Sequence, residues 1–175
     1  MPEHPLAPTG MPVAAPAWAS ELIAREAHFL DHRRWDDWLA LYAADARFWV
    51  PAWLDDERIG DDPDRAVSLI YCTSREALAD RVWRLRSGLS VASSPLPRTA
   101  HVLGVPLVTG RDHESLSLCS AFSSHVWYLR AQRQHVFFGH VTHRLVGEGS
   151  EARIAAKTIV LANDRVPTML DFYCV

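Results

Sequence analysis

EAHFLDHRRWDDWLALYAADARFWVPAW, residues 26–53, runs from the end of one amphipathic helix through a second short helix into a strand stopped by proline. It holds Trp35, Trp38, Trp49 and Trp53, four of the seven tryptophans in the chain. Working backwards, Leu22, Ile23, Ala27 and Leu30 recur at three- and four-residue steps, which predicts one helix over Trp18–Asp31 with a single apolar stripe. Trp35, Trp38, Leu39 and Tyr42 repeat the pattern and predict a second helix over Arg34–Ala44. ARFWV, residues 46–50, then switches to β-formers, and Pro51 ends or edges that strand. Trp35, Trp38 and Trp49 are expected to lock the two helices onto a sheet, with Trp53 opening a loop toward a partner.

The second half of the chain is written for strands. Residues 98–108, 114–129, 134–147 and 152–162 are rich in Val, Leu, Phe, Thr and Ser with period-two alternation. In ESLSLCSAFSSHVWYLR (114–130) the even positions Leu116, Leu118, Phe122 and Val126 make one core face. The odd positions stay small until His125 and Trp127, leaving room for close approach of something else. Between the halves, SLIYC (68–72) precedes a helix predicted from a Thr73–Glu76 capping box, the apolar face Leu78, Val82 and Leu85, and a C-terminal Gly88. Helices first and antiparallel strands after them describe an α+β domain, a curved sheet with helices on one face. Residues 1–17, Pro-rich and aperiodic, read as a flexible arm, and 18–175 as one domain.

Bulk properties narrow the function class. At 175 residues a single domain buries roughly 70% of its unfolded surface. A net charge of -3 leaves no electrostatic footprint for nucleic acid or anionic membrane. No apolar run has transmembrane length and the N-terminus lacks the pattern of a signal peptide, so the cytoplasm is the expected location. Cys72, Cys119 and Cys174, odd in number and widely spaced, argue against a disulfide framework. Of 18 basic residues only Lys157 is lysine, a bias that suits either a GC-rich genome or arginine-rich interfaces. The acidic stretch LDDERIGDDPDRA (54–66) lacks the alternating oxygen ligands of an EF-hand and reads as a solvated loop.

Several segments, in order along residues 20–175, carry a family resemblance. They are the opening helices and strand quoted above, DDPDRAVSLIYC with REALADRVWRLRSG, PRTAHVLGVPLV, FFGHVTHRLV, and the closing KTIVLANDRVPTMLDFYCV. Together they resemble the small (β) subunits of aromatic-ring-hydroxylating dioxygenases, in the benzoate/anthranilate branch. Cys72 stands where an aromatic is common and Cys174 where histidine is common. The resemblance implies a cystatin-like cone, assembly with a larger α subunit as α3β3, and a mainly structural role. It implies that the α partner carries the Rieske [2Fe-2S] cluster and the mononuclear Fe(II) that adds O2 to the ring. A reductase would supply electrons from NADH.

The residues themselves offer no such metal site. Rieske ligands come as C-x-H and C-x-x-H, and none of the three cysteines is followed by histidine at those steps. His28 and His32, four apart on the first helix with Asp31 nearby, have the best ligand spacing, which also suits a polar helix face. His140 and His143, three apart in a strand, point to opposite sides. Nucleophile elbows and glycine-rich phosphate loops are missing. One acid–base constellation stands as an alternative: Asp31 or Asp45 with Tyr42 and one of His101, His125 or His143 on the concave side of the sheet, as a dehydratase or isomerase would use. Interface candidates are Trp53, then Arg81, Trp83, Arg84 and Arg86 of RVWRLR, and Phe172 and Tyr173 of an apolar C-terminus expected to bury against another subunit.

Overall fold

The computed structural model describes residues 13–87, 95–163, 166 and 170–175. The elements are β1 (Val13–Ala14), α1 (Ala17–Asp31), α2 (Trp35–Ala40), β2 (Tyr42–Pro51), β3 (Ser68–Cys72), α3 (Arg75–Arg86), β4 (Arg98–Leu103), β5 (Leu107–Arg111), β6 (Ser115–Tyr128), β7 (Arg133–Val146) and β8 (Arg153–Leu161). One sheet joins the strands in the order β1-β5-β6-β7-β8-β2-β3, with β4 pairing β6 beside β5. All pairs are antiparallel except β2 with β8. This is the α+β architecture expected from the helix-then-strand order.

The helix α1 buries Ala19, Leu22, Ile23, Ala27 and Leu30, the predicted stripe, and Glu26 with them. It stops in a Schellman turn: Arg34 N–H donates to Phe29 O at 2.8 Å and Arg33 N–H to Leu30 O at 3.1 Å, with Arg33 left-handed at φ 55°. A non-glycine residue there costs about 1–2 kcal/mol. Arg33 also reaches the segment leading into β4, its guanidinium donating to Pro97 O at 3.1 Å.

Several boundaries differ from the sequence reading. The second helix ends at Ala40, not Ala44, and β2 starts at Tyr42 rather than residue 46. Alanines 43, 44 and 46 favour helix, but Ile154 N–H donates to Leu41 O at 2.8 Å and Tyr42 pairs with Ile154, so the sheet captures this backbone. The cap of α3 is Ser74, whose hydroxyl accepts from Ala77 N–H at 3.1 Å, not Thr73. Gly88 lies outside the described residues. The span 98–108 is two strands, separated by Gly104-Val105-Pro106, that lie end to end along β6. Residues 13–17, assigned to the arm, are built in: Val13 pairs with Val108, Ala15 N–H donates to Pro106 O at 2.8 Å, and Ala17 begins α1.

Even positions of β6 and odd positions of β7 face inward, and Leu118, Val126, Phe137 and Leu145 are buried there against the helices. The C-terminus closes this core. Phe172, Tyr173, Cys174 and Val175 are all buried, and the Phe172 ring stacks on Trp38 at 4.8 Å and meets Trp35 edge-on at 5.5 Å. The expectation that Phe172 and Tyr173 lie against another subunit is therefore corrected: their apolar surface is consumed within the chain. Trp35 and Trp38 do lock α2 onto the core. Trp49 does not, because Phe48 and Val50 take the inward face and alternation turns Trp49 to the other, where its indole donates to Ser68 Oγ at 2.8 Å.

Candidate functional site

The concave interior holds a polar cluster centred on a residue the sequence reading passed over. Glu26 is 2% exposed. Its Oε1 accepts from Trp38 Nε1 at 3.0 Å, Tyr42 OH at 2.7 Å and Lys157 Nζ at 2.9 Å. Lys157 also donates to Oε2 at 3.0 Å, and His143 Nε2 stands 3.7 Å from that oxygen, beyond direct hydrogen-bond reach. Five elements, α1, α2, β2, β7 and β8, thus converge on one carboxylate. Burial by itself would raise the Glu26 pKa, but the Lys157 charge, followed by His143, overrides it and holds the group well below the usual carboxylate range. Tyr42 is pushed the other way, well above 10, by burial and by the Glu26 charge. Burial keeps His143 below the ordinary histidine value, against the pull of Glu26.

Next to this cluster, Asp31 fastens the end of α1 to β4. Its Oδ1 lies 2.7 Å from His101 Nδ1 and accepts from Thr99 Oγ1 at 2.9 Å, while Oδ2 accepts from His101 N–H at 2.9 Å. Half-burial opposes ionisation of Asp31, but the His101 and Thr99 bonds outweigh it and lower its pKa.

Only part of the predicted acid–base constellation comes together. Asp31 and His101 pair, one of the several combinations the sequence left open. Tyr42 serves Glu26 instead, because β2 begins at Tyr42 and turns it into the core. His125 is on the outer face of β6, with Gln134 Nε2 at 2.8 Å, and Asp45 is exposed. His143 points in and His140 out, the alternation that period two requires. Glu26 had a readable signal: it sits four residues from both Leu22 and Leu30, inside the apolar stripe, where an unpaired carboxylate would be untenable. Its partner is the chain's single lysine.

The room inside is small. A cavity of about 10 Å³ touches Glu26, His101, His143 and Lys157, whereas ligand pockets run to roughly 300–1,000 Å³. The larger space, about 330 Å³, is an open surface groove between α1 and β4 edged by His28, Asp31, His32 and His101. There the His28 and His32 rings stack at 4.0 Å, and His32 Nδ1 lies 2.9 Å from His28 O. Among the described residues no three His, Cys, Asp or Glu side chains are placed to hold a metal ion. Cys72, Cys119 and Cys174 lie on β3, on β6 and at the C-terminus, so these residues do not fit an iron–sulfur cluster. No helix among the described residues is long and apolar enough to cross a membrane.

Residues 25–168 match the model of the ring hydroxylating beta subunit family. The chain belongs to that family. It is 35% identical to the benzoate 1,2-dioxygenase subunit beta of Acinetobacter baylyi over 88% of this chain and 90% of that one. It is 39% identical to the 2-halobenzoate 1,2-dioxygenase small subunit of Burkholderia cepacia over 86% and 90%. The crystal structure of the beta subunit of benzoate 1,2-dioxygenase from Burkholderia mallei superposes with a TM-score of 0.75 at 28% identity, covering 94% of this chain and all of that one. The cone fold expected from the resemblance is the fold these relatives share. As a β subunit, the chain is one component of a multi-subunit oxygenase.

The interface candidates can now be placed. Trp83 is 63% exposed on α3, and Arg84 beside it is exposed. Arg86 is spent on a two-pronged pair with Asp36, at 3.0 and 2.9 Å, and Arg81 lies 3.5 Å from Asp171. Trp53 is pinned to its own sheet, donating to Leu161 O at 2.7 Å. Phe172 and Tyr173 are internal, as described above.

Proposed function

We propose that this chain is the structural, non-catalytic β subunit of the terminal oxygenase in a Rieske-type dioxygenase acting on a carboxylated aromatic such as benzoate or anthranilate. The observation that carries the reading is the family match across residues 25–168 in a chain whose interior cavity beside Glu26 leaves only about 10 Å³. A benzoate-sized ring does not fit there. Ring binding and oxygen chemistry fall to an α subunit, which would hold the [2Fe-2S] cluster and the Fe(II), with a reductase delivering electrons from NADH. The assembly would be α3β3 in the cytoplasm, with the chain from residue 13 onward acting as one domain. In this reading Trp83 and Arg84 contact a neighbouring subunit, since an exposed tryptophan beside arginine is the composition that dominates interface energetics.

The alternative, a stand-alone dehydratase using Asp31 and His101, is disfavoured because that pair is engaged with Thr99 and the β4 backbone and borders only a cavity of about 10 Å³ and an open groove. Co-expression with the adjacent α-type reading frame tests the choice. A red-brown complex that dihydroxylates benzoate or anthranilate is expected, with turnover preserved in Asp31→Asn. A colourless chain that elutes alone and loses an intrinsic dehydratase activity on Asp31→Asn would overturn it.

A further inference from the structure

We infer that His101 and His143 bind one water molecule inside the cone, and that this water joins the Asp31 pair to the Glu26–Lys157 pair. Both imidazoles border the cavity of about 10 Å³, close to the space one water occupies. Their side chains are 3% and 1% exposed. His101 Nε2 and both ring nitrogens of His143 have no hydrogen-bond partner in the protein. An orphaned buried polar atom costs about 1–3 kcal/mol, and a water between His101 Nε2 and one nitrogen of His143 relieves two of the three.

The chemistry of the ligand follows from the donor set. Asp31 Oδ1, 2.7 Å from His101 Nδ1, occupies that nitrogen and leaves Nε2 to bond a water, which can act as donor or acceptor there. His143, kept from charging by burial, offers one N–H and one lone pair, so it complements either face of a water. An anion is disfavoured by Glu26 at the same cavity, and an organic ligand by the volume.

The resulting chain runs Asp31, His101, water, His143 and on toward Glu26 and Lys157. It ties two turns of α1 to β4, β7 and β8 at once.

Crystals of the full-length chain diffracting well enough to resolve ordered water provide the direct test. One fully occupied water within about 2.7–3.2 Å of His101 Nε2 and of a His143 nitrogen is expected. Protein-only density, with the two rings bonded to each other or to Glu26, would overturn the assignment. In solution, oxygen-17 magnetic relaxation dispersion counts long-lived internal waters, and His143→Phe should remove one. An unchanged count in a folded variant would also refute the site. Should that variant not fold, the wild-type crystal decides alone.

Discussion

Glu26 and Lys157, separated by 131 positions in sequence, meet in two bonds of 2.9 and 3.0 Å inside the core. Desolvating both charges consumes much of their mutual attraction, so the pair adds little net stability over apolar side chains of similar size. Breaking one side is a different matter. Glu26→Gln leaves Lys157 charged, buried and without its counter-ion, and should lower unfolding free energy by about 3–5 kcal/mol in urea denaturation. The double change Glu26→Leu with Lys157→Met should recover a large part of that loss. Additive damage in the double variant would show that the pair does not act as a unit.

Acid should weaken the fold partly through His143. Its folded pKa lies below the unfolded value near 6.5, so the unfolded chain binds that proton first. Its contribution is complete above pH 6.5 and is lost as pH falls below it, with a slope of at most about 1.4 kcal/mol per pH unit. His143→Phe should flatten stability between pH 6.5 and 5 relative to wild type. Glu26 acts lower: its pKa is depressed, so its stabilisation is present above its unfolded value near 4.5 and fades as pH drops further.

Trp83 and Phe172 should separate assembly from folding. Trp83→Ala removes a ring that is 63% exposed, leaving the melting temperature of the isolated chain within a degree or two while weakening complex formation in size-exclusion chromatography. Phe172→Ala removes a fully buried ring packed on Trp38, and should cost about 3–5 kcal/mol of folding stability whatever the partner. A large melting shift for Trp83→Ala, or none for Phe172→Ala, would contradict these placements.

Cys174 reports on the C-terminal closure. Burial pushes its thiol pKa up to about 12, so almost no thiolate exists at neutral pH. Native protein should resist iodoacetamide at Cys174, as read by peptide mass spectrometry, and label quickly in denaturant. Rapid native labelling would mean that residues 170–175 open on their own.

Much of the candidate site was open to a sequence reader at the level of residues but not of pairing. Asp31 and His101 were on the page, yet so were Asp45 and His125, and nothing in spacing distinguished them. The distinction arises because β4 lies against the end of α1 while His125 takes an odd, outward position on β6. Tyr42 was assigned to the right interior and the wrong carboxylate, since local helix propensity hid the start of β2. The C-terminal aromatics were recognised as needing burial, but apolarity does not say whether the burying surface belongs to the same chain.

What the sequence determined alone was set by periodicity and motif order: the α1 stripe, the inward face of β6, the α+β class and the family. Those signals are local, or they repeat along the chain, and need no knowledge of neighbours. The tertiary structure decided which polar groups meet. Glu26 with Lys157, Asp31 with His101, and Phe172 between Trp35 and Trp38 are contacts across long stretches of chain. They form because buried charges must be paired, and the curvature of the sheet brings their partners within reach.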